Sequence, residues 1–157
     1  MGFGSNLGDP VANCRYGLDN LNRSCTCRVL EVSPLFRTEP VGFDGQDWFV
    51  NGCAAVATDL SAEDFLAELK ALERIAGRKP GRPVNGPREL DMDILFFDDL
   101  VLESPDLVVP HPRLHKRRFV LVPLCAIAPE LAHPVLGKTV TELLTGLEDD
   151  KRVRPCS

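Results

Sequence analysis

The chain has 157 residues, of which 44% are hydrophobic and 26% charged, with a formal net charge of −5. This balance predicts one globular domain spanning residues 1–157, and the acidic charge argues against nucleic-acid binding driven by overall charge. Because no apolar run approaches a membrane span and the N-terminus does not resemble a signal peptide, we expect a cytoplasmic protein, acting as a monomer without membrane contact.

The N-terminal stretch predicts a strand, a tight glycine loop and a helix. Glycines at positions 2, 4 and 8 permit close backbone approaches. The loop lacks the GK[ST] ending of a P-loop. Asp9 followed by Pro10 is typical of a helix start. Apolar residues at helical spacing then continue the helix to about Arg23.

Two strands are predicted next, separated by a long loop. Residues 26–37 are a strand candidate, and Ser33-Pro34 marks a bend or an edge within it. Residues 38–48 contain two glycines and a proline and form a loop, and residues 49–59 return as a strand. Because loops of this length in a compact domain tend to be functional, residues 38–48 are a candidate binding segment.

The second helix begins at a capping signal formed by Ser61 and Asp64 and ends at Gly77. Its apolar residues follow the spacing of an amphipathic helix. A loop at residues 78–87, rich in proline, glycine and positive charge, follows it. This loop leads directly into the most informative stretch of the chain.

Residues 86–97 open as a turn and continue as a strand, because their apolar residues alternate. Asp91 and Asp93 therefore lie side by side on the opposite face. Two carboxylates in this geometry repel one another unless a cation lies between them, and Mg2+ takes carboxylate oxygens that it often shares with substrate phosphates. The alternative is that both aspartates are merely solvated at a strand end.

The remaining chain predicts mainly helical structure. Residues 119–127 are apolar throughout, and Pro123 favours two short helices over one. Thr139 and Glu142 form a capping box that begins a last short helix. The charged residues 148–157 are expected to fray.

The order strand, helix, strand, strand, helix, strand predicts an α+β fold. In the ferredoxin-like βαββαβ arrangement, an antiparallel sheet carries helices on one face, and here a C-terminal extension would follow. The strand with Asp91 and Asp93 would pair with the N-terminal strand. Residues 100–102 could cover its other edge.

Cysteine usage indicates a reducing compartment. The six cysteines are scattered and none forms a CxxC pair, so we expect reduced thiols that mostly pack in the core. Bridging or metal binding is the alternative. The cysteines are Cys14, Cys25, Cys27, Cys53, Cys125 and Cys156.

Two basic segments flank the acidic pair Asp91 and Asp93 in the sequence. An acidic pair with basic surroundings is what a metal–nucleotide polyphosphate requires, and the alternative is a solvated basic surface. His111, held between two prolines, is a better candidate for a fixed contact than His115. The segments contain Arg78, Lys79, Arg82 and Arg88, and His111, Arg113, His115, Lys116, Arg117 and Arg118.

Five stretches resemble the 6-hydroxymethyl-7,8-dihydropterin pyrophosphokinase family of folate biosynthesis. Their order along the chain is that of the family, and the last two are highly specific. The family is ferredoxin-like, in agreement with the predicted element order. The stretches are GSNLGD at 4–9, FRTEPVG at 36–42, FVN at 49–51, GPRELDMDILFFDD at 86–99 and VPHPRLHKRRFVLVPLCAIAP at 109–129.

The resemblance implies transfer of a pyrophosphoryl group from ATP to the pterin's hydroxymethyl oxygen, with release of AMP. It implies that Asp91 and Asp93 bind two Mg2+ ions, and that Arg78 and Arg88 are catalytic with them. A core role is the alternative for Phe49 and Phe119. The implied ATP contacts are Glu73, Arg78, Arg88, His111 and Arg117, and the implied pterin contacts are Thr38, Pro40, Val41, Phe49, Asn51 and Phe119.

The chain departs from the family pattern in one loop. Val84-Asn85 stand where many relatives have Arg-Trp, and Pro80-Gly81 stand near positions that are often basic. We expect residues 39–48 and 78–87 to close over the substrates and exclude water. Two rival hypotheses are a ligand-binding domain without activity and a DxD nucleotidyl- or glycosyltransferase, for which the chain lacks a nucleotide-binding βαβ unit.

Overall fold

An antiparallel sheet lies at the centre of the computed structural model, which describes residues 1–42, 45–81 and 83–157. The strands of this sheet are β1 Gly2–Ser5, β2 Cys27–Val32, β3 Phe36–Thr38, β4 Phe49–Thr58, β5 Asp91–Asp93 and β8 Val153–Pro155. A separate hairpin contains β6 Leu102–Glu103 and β7 Val108–Val109. The helices are α1 Pro10–Arg23, α2 Ala62–Ile75, α3 Arg118–Ile127 and α4 Val140–Thr145, with a 3-10 turn at Leu114–Lys116.

The strand order is β5-β1-β4-β3-β8, and β2 also pairs with β4. The predicted α+β class with an antiparallel sheet is confirmed, as is the pairing of β5 with the N-terminal strand. In the register of that pair, Gly2 lies opposite Asp93 and Gly4 lies opposite Asp91. Because side chains alternate along a strand, both aspartates lie on the face away from Met92, which is fully buried.

Helices cover both faces of the sheet, whereas the sequence predicted helices on one face. α1 and α2 pack with Phe3, Val50 and Met92 on one side. α3 and α4 pack on the other side against Cys53 and Leu95. α3 and α4 therefore cover part of the second face, and the acidic pair lies on this same face.

Local helix signals were read correctly from the sequence. Asp9 accepts a hydrogen bond from the backbone N–H of Ala12 at the start of α1, and Ser61 accepts one from Asp64 at the start of α2. The capping box of Thr139 and Glu142 is present at α4. Each signal acts within one helical turn, so it operates independently of tertiary contacts.

Three local predictions were wrong. α3 is one helix with Pro123 inside it, because the buried ring of Pro123 packs in the core and offsets the backbone hydrogen bond it removes. Residues 100–102 do not cover the edge of β5, since β6 pairs with β7 instead. The tail is not frayed at Val153–Pro155, which pairs with β3.

The six cysteines, all within the described ranges, form no disulfide. Cys14, Cys27 and Cys53 are buried as predicted, whereas Cys25 is exposed and Cys125 and Cys156 are only partly buried. Burial raises the pKa of both Cys14 and Cys53 to about 12, so these thiols are unreactive near neutral pH.

Among the described residues, no helix is long and apolar enough to cross a membrane.

Candidate active site

The acidic pair faces a cavity of about 240 Å³ at the edge of the sheet. The side chain of Asp91 is 26% exposed and that of Asp93 is 39% exposed. Strands β1, β4 and β5 and the turn before α3 contribute to its wall. The two loops that flank the cavity, at residues 38–48 and 78–87, contribute through their described residues. The predicted site residues on that wall are Thr38, Val41, Phe49, Asn51, Arg88, Asp91, Asp93, His111, Arg117 and Phe119.

Two arginines that precede β5 in the sequence contact Asp91. The Nη1 atom of Arg88 lies 2.6 Å from Oδ1 of Asp91, and that of Arg78 lies 2.9 Å from the same oxygen. Arg88 is on the cavity wall, whereas Arg78 is not among the described residues that line it. Both predicted catalytic arginines thus contact the acidic pair, Arg88 from the cavity wall and Arg78 from outside the described wall.

Glu73 lies beneath the acidic pair, with a side chain that is only 1% exposed. Its Oε1 atom accepts a hydrogen bond of 2.7 Å from the backbone N–H of Met92, the residue between the two aspartates. Its Oε2 atom accepts a hydrogen bond from Nη1 of Arg78. The structure therefore places Glu73 outside the described cavity wall, where it joins α2 to β5.

Lys70 is a residue of the site that sequence reasoning missed. Its Nζ atom lies 2.7 Å from Oε1 of Glu73, 2.9 Å from the carbonyl oxygen of Met92 and 3.3 Å from Oδ1 of Asp93. One signal was available, since a lysine three residues before a glutamate lies on the same side of a helix. That signal indicates only an ion pair, and it does not reveal that the pair meets β5.

The charges around Asp93 keep it ionised. Burial by itself would raise the pKa of Asp93. Attraction to Lys70 and to His111, which is protonated at the acidic pH where Asp93 titrates, outweighs burial and, with a contribution from Arg88, lowers that pKa. A carboxylate near the cavity is thus available to a cation throughout the neutral range.

His111 is fixed at the cavity wall by two backbone contacts. Its N–H donates to the carbonyl oxygen of Leu95 at 2.9 Å, and its Nδ1 atom accepts from the N–H of Arg113 at 3.1 Å. Burial lowers the pKa of His111, and the attraction of Asp93 opposes this only in part because Arg117 and Arg113 add repulsion. The imidazole is therefore neutral at pH 7 with its proton on Nε2.

Polar and aromatic groups form the other part of the cavity wall. The buried Thr38 accepts a hydrogen bond of 2.6 Å on Oγ1 from Nδ2 of Asn51. The amide of Asn51 lies directly over Gly4, where a Cβ atom would overlap its Oδ1. Phe49 and Phe119 line the cavity and are partly buried. Pro40 is not among the described residues that line it.

Asn6 joins the two loops that flank the cavity. Its Oδ1 atom accepts a hydrogen bond of 2.8 Å from the N–H of Arg88. Its Nδ2 atom donates to Oε1 of Gln46 at 2.9 Å and to the carbonyl oxygen of Asp47 at 3.1 Å. Gln46 in turn donates to the carbonyl oxygen of Asn85 at 2.8 Å. Asn6 of the GSNLGD stretch thus connects the two loops by hydrogen bonds.

Two loops identified in the sequence contain residues outside the described ranges. Arg82, one of the basic loop residues, lies outside the described residues, as do Phe43 and Asp44 of the long loop.

The acidic pair suits a hard divalent cation that brings other ligands with it. In the described part of the chain, no group of three or more His, Cys, Asp or Glu side chains could hold a metal ion. Asp91 and Asp93 offer two carboxylates beside an open cavity, and Mg2+ commonly binds through one or two carboxylates with water and substrate phosphates completing its shell. The residues present therefore fit Mg2+ bound together with a polyphosphate.

Comparison with known proteins points to one family. Residues 1–129 match the family model described as 7,8-dihydro-6-hydroxymethylpterin-pyrophosphokinase. The chain is 42% identical to the 2-amino-4-hydroxy-6-hydroxymethyldihydropteridine pyrophosphokinase of Pseudomonas aeruginosa over 92% of this chain and 88% of that protein. It is 37% identical to the enzyme of the same name from Methylorubrum extorquens over 94% of this chain and 92% of that protein.

One relative is a much longer protein. The chain is 38% identical to the folic acid synthesis protein fol1 of Schizosaccharomyces pombe over 94% of this chain, but the match spans only 20% of that protein. The chain therefore covers about a fifth of the length of this relative and most of the length of the two bacterial ones.

Proposed function

The chain belongs to the 7,8-dihydro-6-hydroxymethylpterin-pyrophosphokinase family, and we propose that it transfers pyrophosphate from ATP to 6-hydroxymethyl-7,8-dihydropterin in folate biosynthesis. The products are AMP and the pterin diphosphate. The observation that carries the proposal is one cavity with a carboxylate pair and basic groups on one wall, and an amide with two aromatic rings on another.

Asp91 and Asp93 are the residues that would hold Mg2+, in our proposal as two ions. Both line the cavity, and carboxylate oxygens are the ligands that Mg2+ prefers. When bound, Mg2+ supplies neutralisation of phosphate charge and polarises the hydroxyl group of the substrate. Lys70, Glu73 and Arg78 keep the backbone and side chains of the pair in place.

The triphosphate would lie between the acidic pair and the basic groups of the wall. Arg88 and Arg117 provide positive charge there, and His111 provides a neutral N–H donor at Nε2. Attack on the β-phosphorus with AMP as leaving group requires positioning and charge neutralisation more than covalent assistance. Glu73 takes no part in direct ATP contact in this arrangement. It acts through Arg78 and Lys70, which pair with Asp91 and Asp93.

The pterin would lie against the wall formed by Asn51, Phe49 and Phe119. Because Nδ2 of Asn51 donates to Thr38, its Oδ1 is the atom available to accept hydrogen bonds from a polar ring edge. Phe49 and Phe119 offer apolar faces for a flat heterocycle. Val41 and the backbone next to Pro40 complete the pterin side in this proposal.

The proposal also includes the fold topology, the extent of the domain, the oligomeric state and the location of the protein. The sheet order with β5 beside β1 is compatible with a ferredoxin-like arrangement carrying a C-terminal extension. We propose that residues 1–157 act as one pterin pyrophosphokinase domain, as a monomer in the cytoplasm.

An assay of AMP release tests the proposed function. Purified protein is incubated with ATP, Mg2+ and 6-hydroxymethyl-7,8-dihydropterin, and nucleotides are separated by chromatography. We expect AMP only when all three are present, and omission of the pterin is the matched control. Formation of ADP, or no AMP in the complete mixture, would contradict the assignment.

A second candidate is a binding domain without turnover. Val84 and Asn85, which replace the Arg-Trp of many relatives, lie on the cavity wall, and Val84 is 74% exposed. This loop could hold ATP too weakly for transfer. Calorimetry separates the two functions, since pterin or nucleotide binding with no AMP formation favours the binding domain.

A further inference from the structure

Lys70 meets the acidic pair from below the sheet edge. It projects from α2, and its ammonium group is held at three points by Glu73, the carbonyl oxygen of Met92 and Asp93. Its side chain is 32% exposed and is not among the described residues that line the cavity. Its charge is nevertheless close to the cavity, because it contacts Asp93, which does line it. A positive charge is therefore present beside Asp93 before any metal ion arrives.

The charges of this network are balanced. Among the described residues, three carboxylates contact three cationic side chains, in a chain of ion pairs that ends on Asp93 at one side and Arg88 at the other. A free divalent cation would add two positive charges to a neutral cluster, whereas a cation bound to a triphosphate brings compensating negative charge. The members are Glu73, Asp91, Asp93, Lys70, Arg78 and Arg88.

We propose that Lys70 is a positioning residue that makes the acidic pair selective for a divalent cation accompanied by polyphosphate. It repels a free cation from Asp93, and it attracts the phosphates that come with a nucleotide-bound cation. The geometry supports this because Nζ lies 3.3 Å from Oδ1 of Asp93 while Glu73 and Met92 prevent it from moving away. The inference rests on the proposed metal-binding role of Asp91 and Asp93.

Binding of Mn2+ to protein without nucleotide tests the inference. The number and affinity of bound ions are measured by electron paramagnetic resonance for wild type and for Lys70→Met. We expect the variant to bind free Mn2+ about fivefold more tightly, because one unit charge near the ion is removed. Equal or weaker binding in the variant would overturn the proposal, and weaker binding would indicate a structural role alone.

A second measurement uses Mn2+ with the non-reactive analogue α,β-methylene-ATP. Here we expect Lys70→Met to change the affinity of the metal–nucleotide complex by less than about twofold, since the lost charge attracts phosphate as much as it repels metal. A fivefold gain in this complex as well would show that Lys70 does not discriminate, and would overturn the proposal.

Two control variants and one substitute variant complete the test. Lys70→Arg keeps the charge and should bind free Mn2+ like wild type. Lys138→Met removes an exposed charge from another part of the chain and should have no effect. Circular dichroism checks folding, and Lys70→Gln, which can still donate to Met92, replaces Lys70→Met if the latter does not fold.

Asp93→Asn separates the inference from the function on which it rests. We expect this variant to lose binding of free Mn2+. If it binds as wild type does, the metal role of the acidic pair fails together with the inference. If Asp93→Asn loses binding but neither neutral variant of Lys70 binds more tightly, only the inference fails.

Discussion

The carboxylate of Glu73 accepts a hydrogen bond of 2.7 Å from the backbone N–H of Met92, and both residues are fully or almost fully buried. Met92 lies between the two aspartates that face the cavity. A glutamate on α2 therefore sets the position of β5, and the same carboxylate orients Arg78 and Lys70. The position of the acidic pair depends on one buried side chain that is not among the described residues lining the cavity.

Replacing Glu73 with glutamine should reduce stability strongly. The amide can still accept from Met92, but it leaves Arg78 and Lys70 without a buried counter-charge, and breaking a buried pair costs about 3 kcal/mol. Urea unfolding measures this, with Glu130→Gln on the exposed surface as control. Unchanged stability with lost activity would instead favour direct contact between Glu73 and ATP.

Asp93→Asn should reduce kcat at least about a hundredfold, which corresponds to roughly 2.7 kcal/mol in the barrier. The amide has nearly the same shape but no charge for a divalent cation. AMP release measures the effect, and thermal unfolding checks that the fold is retained. Asp99→Asn in the exposed turn after β5 is the control and should be fully active. Activity of Asp93→Asn close to that of the control would remove Asp93 from the metal site.

Gly4→Ala should weaken pterin binding. The added methyl group would overlap Oδ1 of Asn51, so the amide must turn away and lose its hydrogen bond to Thr38. We expect KM for the pterin to rise about tenfold, or roughly 1.4 kcal/mol, with a smaller effect on KM for ATP.

The control for Gly4→Ala is Gly146→Ala, where the new Cβ atom would meet only an ordinary contact with the carbonyl oxygen of Glu142. Steady-state kinetics with each substrate varied in turn makes the comparison. An equal rise in both KM values at Gly4 would argue against a pterin-specific position.

Stability should fall as pH decreases below about 6.5, the ordinary pKa of histidine. Burial lowers the pKa of all three histidines in the folded chain, His111, His115 and His133. The unfolded chain then binds protons at higher pH than the folded chain, so the stabilising contribution is complete above the unfolded pKa and is lost as pH falls through the folded pKa.

Urea unfolding between pH 5 and pH 8 measures this dependence. His111→Gln should show a smaller decrease in the free energy of unfolding than wild type over that range. A variant whose decrease equals that of wild type would assign the dependence to His115 and His133. Asp93, whose pKa is also lowered, contributes in the same direction but only at more acidic pH.

Arg152→Ala should affect the loop that we propose to carry the pterin side of the cavity. Arg152 forms an ion pair with Glu39 and lies over the ring of Trp48 at 4.9 Å from the ring centroid. Because these contacts are exposed, we expect a modest rise of about two- to threefold in KM for the pterin. Arg28→Ala on the exposed side of β2 is the control. Equal KM values for the pterin in the two variants would show that the contacts of Arg152 with the loop do not influence pterin binding.

The acidic pair was predictable because its signal is local. Alternating apolar residues around Asp91 and Asp93 indicate which face the carboxylates occupy, and the alternation follows from strand geometry. The start of α1 at Asp9 was predictable for the same reason, since a cap requires only the next few residues. Thr38, Asn51 and the two phenylalanines came from the family resemblance, and the structure brings them to the same cavity.

The roles of Lys70 and Val153–Pro155 were not predictable from local patterns. Lys70 resembles an ordinary surface lysine of an amphipathic helix, and a charged tail resembles a frayed one. Each acquires its role from a partner far away in the sequence, Asp93 for the lysine and β3 for the tail.

By itself, the sequence thus determined the caps, the strand face and the kinds of residue at the site. These features depend on backbone periodicity and on contacts within one turn. Only the tertiary structure decided that Glu73 supports β5 from below, that Lys70 reaches Asp93, and that α3 packs against Cys53 at the cavity wall. The physical reason is that the buried hydrogen bond between Glu73 and Met92 and the ion pair between Lys70 and Asp93 both require α2 to contact β5. No local pattern in the sequence encodes that packing.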